Sequence, residues 1–387
     1  MRHSKIKRIL IIEACYENFG SYFRAIGLSQ ALSSHKIYVD MLFPSSQKYS
    51  FFIKRKKENR YLQLIELPRI NCGLLLNLRI LRGIISTIIG LFGSYDIIQA
   101  TAPSQPESII PAVLLKLFGK KVVIDWDDYI SDGEIKNPII NTYIKFCESN
   151  FPRFFKNYVV VSDFLEKLAY QFGAKKVFKL INGVNLSQFV PQNLTDSRQK
   201  LGMDQNDNYL ISFGNTYTPQ RAFLLLKTFE YIYQQKPTTK LIISFDPQTI
   251  PGLKHQFNQK IFKNIISGYI NQEQLPFYLG AANAVIFLFG DNPNEKGCFP
   301  IRIGTYLNGE KLIFINDNDS TTTRLLKKYS AAIVEKDIKV LAQKAVDFLN
   351  HPQKYSSYIP NIKHAKQQLS WNKITIPLIN FYQQKLL

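Results

Sequence analysis

The chain has 387 residues, of which 45% are hydrophobic and 20% charged, and it carries a formal net charge of +20. That length accommodates two domains with a full core each, and the composition is that of a globular protein. The positive charge is spread along the chain (Lys5, Lys7, Arg8; Lys54 to Lys57; Lys175, Lys176; Lys327, Lys328), which favours an anionic partner without choosing among membrane, nucleic acid and phosphorylated substrate. Cys15, Cys72, Cys147 and Cys298 are single and far apart, which argues against a zinc site or disulfide framework and fits a reducing compartment. The apolar run Ile9 to Ile12 ends at Glu13, too short for a signal peptide, so a cytoplasmic protein is expected.

In chain order, Ile9 to Ile12 reads as a buried strand, followed by the loop Glu13 to Ser21 and a helix from about Tyr22 to Leu32, the opening of a Rossmann-like half. With Gly20 as its one glycine, that loop lacks a dinucleotide fingerprint. Ile37 to Leu42 and Leu62 to Leu67 read as strands separated by a basic aromatic loop, Tyr49 to Lys57. Gly73 to Gly93 is strongly apolar but contains Arg79 and Arg82. An arginine near the bilayer centre costs roughly 2.5–3.5 kcal/mol, which argues against a membrane span. The stretch reads either as a crossover helix or as a helix with one apolar side in the membrane interface and its arginines at phosphate level.

Asp96 to Ala100 is the next strand, then the loop Thr101 to Pro106, a helix to Phe118, and the strand Val122 to Asp125. Trp126-Asp127-Asp128-Tyr129 falls at the carboxyl end of that strand, where open α/β sheets bind ligands. Three carboxylates within four residues suit hydroxyl recognition or pairing with a cation, or else helix capping. Tyr158 to Val161 runs into Ser162 and a helix start with Asp163 and Glu166 spaced as a capping box. Val177 to Ile181 runs into Asn182-Gly183-Val184-Asn185. Gln188 to Asn208 is polar and aperiodic and reads as a linker.

The second half starts afresh with a strand, Tyr209 to Phe213, a loop from Gly214 to Arg221, and a helix to about Gln234. Strands at Leu241 to Phe245 and Ile265 to Gly268 and a helix from Gln272 to Ala281 follow. Val285 to Leu288, a polar loop from Gly290 to Gly297, a helix of about two turns with Pro300 in its first turn and Gly309 as its stop, and Leu312 to Ile315 make a βαβ unit. A helix N-terminus at the carboxyl edge of a sheet, with Arg302 in its first turn, is a place to hold a phosphate.

The segment Phe299-Pro300-x-Arg302-Ile303-x-x-Tyr306-x-x-Gly309 resembles the donor-sugar segment of GT-B glycosyltransferases, family four in particular, which usually reads F-P-x-K-x-x-E-Y-x-x-x-G-x-P. The stretches around Val159 to Leu165, Ile181 to Asn185 and Glu273 to Ala282 resemble further family segments in the same order, so the resemblance covers nearly the whole chain and is weakest from Ser45 to Gly93. Departures are Gly304 in the place of a glutamate and Lys311 in that of a proline. Asn215 and Gln220 stand where the family has arginine and lysine, with Arg221 one residue late; Glu295 is one residue short of the family's first glutamate. Where members often have a histidine, this chain has Trp126-Asp127-Asp128.

The resemblance implies an α/β GT-B fold of two Rossmann-like domains facing a central cleft. Residues 1–187 would bind acceptor, 188–208 link, 209–368 bind the nucleotide-sugar, and 369–387 cross back as a helix. It implies a hexosyltransferase-type enzyme of polysaccharide biosynthesis that moves sugar to a saccharide, lipid-linked or envelope glycan acceptor, with retention, no metal, and no cofactor besides the nucleotide-sugar. Arg302, Arg221, Asp127 and Asp128 would be catalytic. Gly214, Asn215, Glu295, Phe299, Pro300, Gly304, Thr305 and Tyr306 would bind donor, and Gly20, Ser21, Ser162 and Asn182 acceptor. The charge, the Lys54 to Lys57 run and the Arg79/Arg82 helix lead us to expect peripheral association with an anionic membrane, on its inner face. No recognition helix or RNA-binding motif accompanies the basic residues, so nucleic acid is not an expected partner. The departures leave a second reading open, a GT-B protein without turnover acting as a binding or regulatory subunit.

Overall fold

Short runs rich in Ile, Leu and Val alternate with helices, and in the computed structural model, which describes residues 6–17, 19–70, 78–131, 135, 137–214 and 218–386, these runs form two parallel sheets. The chain divides into two units: residues 1–183, 292–301 and 371–387 form one, and 184–291 and 302–370 the other.

The first unit is built on eight strands: β1 (Arg8–Ile12), β2 (Tyr38–Pro44), β4 (Lys54–Lys57), β5 (Leu62–Leu67), β7 (Ile97–Thr101), β8 (Val122–Trp126), β9 (Asn157–Val160) and β10 (Lys176–Lys179). Their order is β10-β9-β8-β7-β1-β2-β5-β4, parallel except for β4. Ile9, Leu10 and Ile11 are fully buried, as a central strand covered on both faces requires. The chain winds from β1 to β2 on one side and returns to β7 on the other, so the strand order reverses between β1 and β7. The C-terminal helix Trp371–Phe381 packs on the helix Gly20–Ser34.

Several expectations for this half are corrected. Tyr49 to Lys57 is not one loop: β3 (Tyr49–Ser50) pairs with β6 (Arg69–Ile70), and β4 pairs antiparallel with β5, Lys54 opposite Glu66. All four cations of β4 are exposed, and on an edge strand such charge discourages pairing with another chain. Of Gly73 to Gly93, residues 73–77 lie outside the described residues, and the helix is Arg79–Phe92. Arg82 does not reach for lipid phosphate. It is 2% exposed, donating Nη2 to Glu107 at 2.8 Å and Nη1 to the Pro68 carbonyl at 3.0 Å. The cap of the helix Asp163–Gln171 is Ser162, whose Oγ accepts from the Leu165 amide at 3.2 Å, not the Asp163/Glu166 pair. Among the described residues, no helix is long and apolar enough to cross a membrane.

The second unit carries β11 (Asn208–Ser212), β12 (Thr239–Ile243), β13 (Ile265–Ser267), β14 (Ala284–Phe287), β15 (Ile313–Asn316) and β16 (Ala332–Glu335), all parallel, in the order β13-β12-β11-β14-β15-β16. Here the order reverses between β11 and β14. The stretch read as a linker contains the helix Leu194–Leu201, capped by Asn193. Its Arg198 is buried and donates to the Ala281 and Gln205 carbonyls and to Asn283, which fastens it to this unit. The donor-motif helix is Ile301–Asn308, starting one residue after Pro300. The left-handed residue beyond it is Glu310, at φ +55°, rather than Gly309, and its carboxylate meets Lys366 at 3.1 Å and Lys363 at 3.4 Å.

Candidate active site

In an open α/β sheet a ligand binds outside the carboxyl ends of the strands, where the strand order reverses. In the second unit that point lies past β11 and β14, at Phe213-Gly214 and Leu288-Phe289. Three side chains grip the first of these stretches. The Tyr306 hydroxyl accepts from the Phe213 amide at 3.1 Å and lies 3.2 Å from its carbonyl. Arg302 Nη1 donates to the same carbonyl at 3.1 Å. Ser244 accepts from the Gly214 amide and donates to the Gly214 carbonyl, both at 2.7 Å.

Arg221 approaches from the helix Pro219–Gln235, third in its first turn behind the cap Thr218. Its Nε donates to the Leu288 carbonyl at 3.1 Å. The guanidinium carbons of Arg221 and Arg302 lie 5.1 and 5.3 Å from the centre of the Phe287 ring, so two cations converge on one aromatic ring at the switch point. Gly214 has φ +153°, and a Cβ there would lie 2.0 Å from Arg302 Nη1. Only glycine lets the arginine lie along this backbone. The positive end of the dipole of the helix Ile301–Asn308 adds to the positive potential.

The corresponding point of the first unit is acidic. Glu13 is the first residue past β1, 1% exposed, with one carboxylate oxygen accepting from the Cys15 amide at 2.7 Å. Asp127, just past β8, is buried and accepts from Ser21 Oγ at 2.5 Å. Burial, then the charge of Asp127, pushes the Glu13 carboxyl up to about 8. Burial, then Asp125, raises that of Asp127 as well. Asp125 itself is neutralised by the fully buried Arg24, whose Nη2 donates to it at 2.8 Å. Asp128 is exposed. Among the described residues no three His, Cys, Asp or Glu side chains are grouped to hold a metal ion.

A carboxyl raised on folding binds its proton in the folded chain and loses it in the unfolded one, so its stabilising contribution fades as pH rises from the ordinary carboxylate value towards the folded one. Glu13→Gln mimics the protonated form. The variant is expected to gain on the order of 1–3 kcal/mol over wild type on going from about pH 5 to about pH 9. Urea unfolding at both pH values reads this directly, and equal differences at the two would mean that Glu13 ionises normally.

Of the expected donor residues, Gly214, Arg221, Arg302 and Tyr306 come together in the second unit. Gly304 is buried inside the donor-motif helix, and, counted from Phe299 to Tyr306, the motif's glutamate position falls on Thr305 rather than on Gly304. Thr305 Oγ1 lies 3.5 Å from Gln188. Asn215 lies outside the described residues. Glu295, Phe299 and Pro300 fall instead in the segment that packs with the first unit, Glu295 buried in the short helix Pro293–Gly297 and Phe299 3% exposed.

Of the expected acceptor residues, Gly20 and Ser21 open the helix Gly20–Ser34, with Ser21 on Asp127. Ser162 and Asn182 are turned to backbone: Ser162 Oγ donates to the Gly297 carbonyl at 2.7 Å and Asn182 Nδ2 to the Phe299 carbonyl at 2.6 Å. Sequence reasoning did not single out Glu13, Arg24, Ser244 or Phe287. Glu13 had a usable signal, as the first polar residue after a buried strand. Arg24 had one too, a lone cation among the apolar positions of its helix.

No protein-family model matches the sequence, and no curated protein matches it. Solved structures do resemble it over almost its full length. Sucrose-phosphate synthase from Thermosynechococcus elongatus superposes with a TM-score of 0.72 at 16% identity, covering 98% of each chain. WaaG, a glycosyltransferase involved in lipopolysaccharide biosynthesis, gives 0.68 at 10% identity, covering 98% of this chain and 100% of its own. Anabaena HepE in complex with UDP and glucose gives 0.68 at 12%, with the same coverage. At such identities the likeness is one of fold, and with two parallel α/β units, each reversing its strand order beside its first strand, this chain has the GT-B glycosyltransferase fold.

Proposed function

We propose that the protein is a glycosyltransferase that moves a sugar from a nucleotide-sugar to a saccharide or lipid-linked acceptor, with retention and without a metal. The observation that carries this reading is the convergence of Arg221 and Arg302 on Phe287, against the Gly214 backbone and beside a helix N-terminus. As the bond from sugar C1 to the phosphate oxygen breaks, negative charge grows on the diphosphate. Fixed cations and helix N–H groups stabilise that charge without reorganising. In transfer with retention the acceptor oxygen bonds to C1 on the face the diphosphate leaves, and the departing phosphate oxygen is the nearest base for its proton. Asp127, with Ser21, and the exposed Asp128 then orient acceptor hydroxyls.

The test is a panel of nucleotide-sugars, opening with UDP-glucose because HepE has been solved with it. Thermal stabilisation together with donor hydrolysis supports the enzyme. Stabilisation without turnover supports the second reading, a binding subunit, which the threonine at 305 in the glutamate's place favours. Stabilisation by none of the panel rejects both.

We also propose peripheral association with an anionic membrane. With Arg82 committed to Glu107, this rests on the exposed row Ile80, Ile84, Ile88 and Phe92 along one side of the helix Arg79–Phe92, and on the exposed cations of β4. Flotation with phosphatidylserine vesicles should show binding at low salt that weakens at high salt and is lost in Ile84→Ser/Ile88→Ser. No binding at low salt rejects it.

A further inference from the structure

Residues 292–301 carry the first part of the donor motif yet pack with the first unit. Between the helices Pro293–Gly297 and Ile301–Asn308 the backbone is extended: Cys298 sits at φ −87°, ψ 157°, and a residue before proline, as Phe299 is, is held away from helical angles. In extended backbone the carbonyls of residues i and i+2 point the same way, and here both are taken by buried side-chain donors. Ser162 Oγ holds the Gly297 carbonyl and Asn182 Nδ2 that of Phe299. Each donor is itself oriented by a bond it accepts. Ser162 accepts from the Leu165 amide at 3.2 Å, and Asn182 Oδ1 accepts from Arg24 Nη1 at 3.0 Å. Within the first unit the strap is tightly packed: a Cβ on Gly297 would be 3.0 Å from Tyr129 Cβ.

We propose that Ser162 and Asn182 are positioning residues for the nucleotide site: two side chains that fasten the strap Gly297–Phe299 and so set where the chain begins the helix that carries Arg302. They act through the strap and do not touch the acceptor. The inference rests on the nucleotide-sugar reading for what the helix binds, and on the bonds above for the fastening itself.

Two variants separate fastening from folding. Ser162→Asp can still cap its helix, and Asn182→Asp can still accept from Arg24, but neither carboxylate can donate to the strap. Hydrogen–deuterium exchange on the full-length protein should show amides of residues 297–303 exchanging about tenfold faster in each variant, with residues 163–171 unchanged. The same variants should bind the tightest of UDP, GDP and ADP about tenfold more weakly. Unchanged exchange in both variants overturns the fastening. Faster exchange with unchanged nucleotide affinity overturns the positioning role. If wild type binds none of the three nucleotides at millimolar concentration, the nucleotide-sugar reading fails, and exchange still decides the fastening.

Discussion

Arg302→Ala is expected to slow sugar transfer on the order of 10²–10³-fold while weakening donor binding far less. The asymmetry follows from when the charge appears: the intact donor already carries its phosphates, but the oxygen that leaves the sugar becomes fully anionic only as the bond breaks. A guanidinium has five N–H donors in a planar fork. In this protein the fork is held flat by the Phe213 carbonyl at 3.1 Å, by the Phe287 ring and by the bare Cα of Gly214. Arg302→Lys keeps the charge but neither the plane nor the fork, so it should recover only part of the rate. Gly214→Ala provides an independent check, because it leaves Arg302 in the sequence and displaces it. A Cβ would sit 2.0 Å from Nη1, and misplacing a catalytic group by about 1 Å can cost on the order of 10²-fold. Arg221→Ala should affect rate less and stability more, since Arg221 is buried and donates to the Leu288 carbonyl. Initial rates at saturating donor separate these cases, and an Arg302→Ala enzyme near the wild-type rate would show that the donor phosphate lies elsewhere.

Arg302, Gly214 and Arg221 are legible in the sequence itself, and the reasons for legibility are physical. Parallel strands are buried on both faces, so β14 and, past Arg8, β1 appear in the sequence as unbroken apolar runs, and β8 as one broken only by Asp125. Strand β4 was not legible, because an edge strand of four exposed cations has no apolar period and pairs with its neighbour mainly through the backbone. The helix Leu194–Leu201 was hidden for a similar reason: it is one of the short polar helices, and it buries Ser197 and Arg198 rather than an apolar stripe. Site residues divide the same way. Arg302 and Gly214 could be placed from their position after strands. The partners of Ser162 and Asn182 could not, since a polar residue at a strand end looks the same whether it faces a ligand or a carbonyl more than a hundred residues away. Arg82 gave the clearest reversal. In the sequence it is a cation in an apolar stretch, and Glu107, which explains it, is 25 residues on.

Arg24→Met is expected to destabilise the first unit by about 3–5 kcal/mol, the usual cost of leaving one partner of a buried ion pair without the other. Both side chains are 1% exposed. Arg24 gives Nε and Nη2 to Asp125 at 3.0 and 2.8 Å and Nη1 to the Leu180 carbonyl at 2.9 Å and to Asn182. Without it, among the described residues Asp125 keeps the side-chain donor Gln99 Nε2 at 2.7 Å, whose own carbonyl oxygen is held by the Tyr382 hydroxyl of the C-terminal segment. Arg24→Met/Asp125→Leu removes the stranded charge and should recover a large part of the loss, because well-packed apolar pairs replace buried ion pairs at little cost. Arg24→Lys should fall between, keeping charge but not three-way donation. The two tryptophans, Trp126 and Trp371, both belong to the first unit, so urea unfolding followed by their fluorescence reports on it alone. A loss below about 1 kcal/mol in Arg24→Met, or no recovery in the double variant, would mean that water or another cation reaches Asp125.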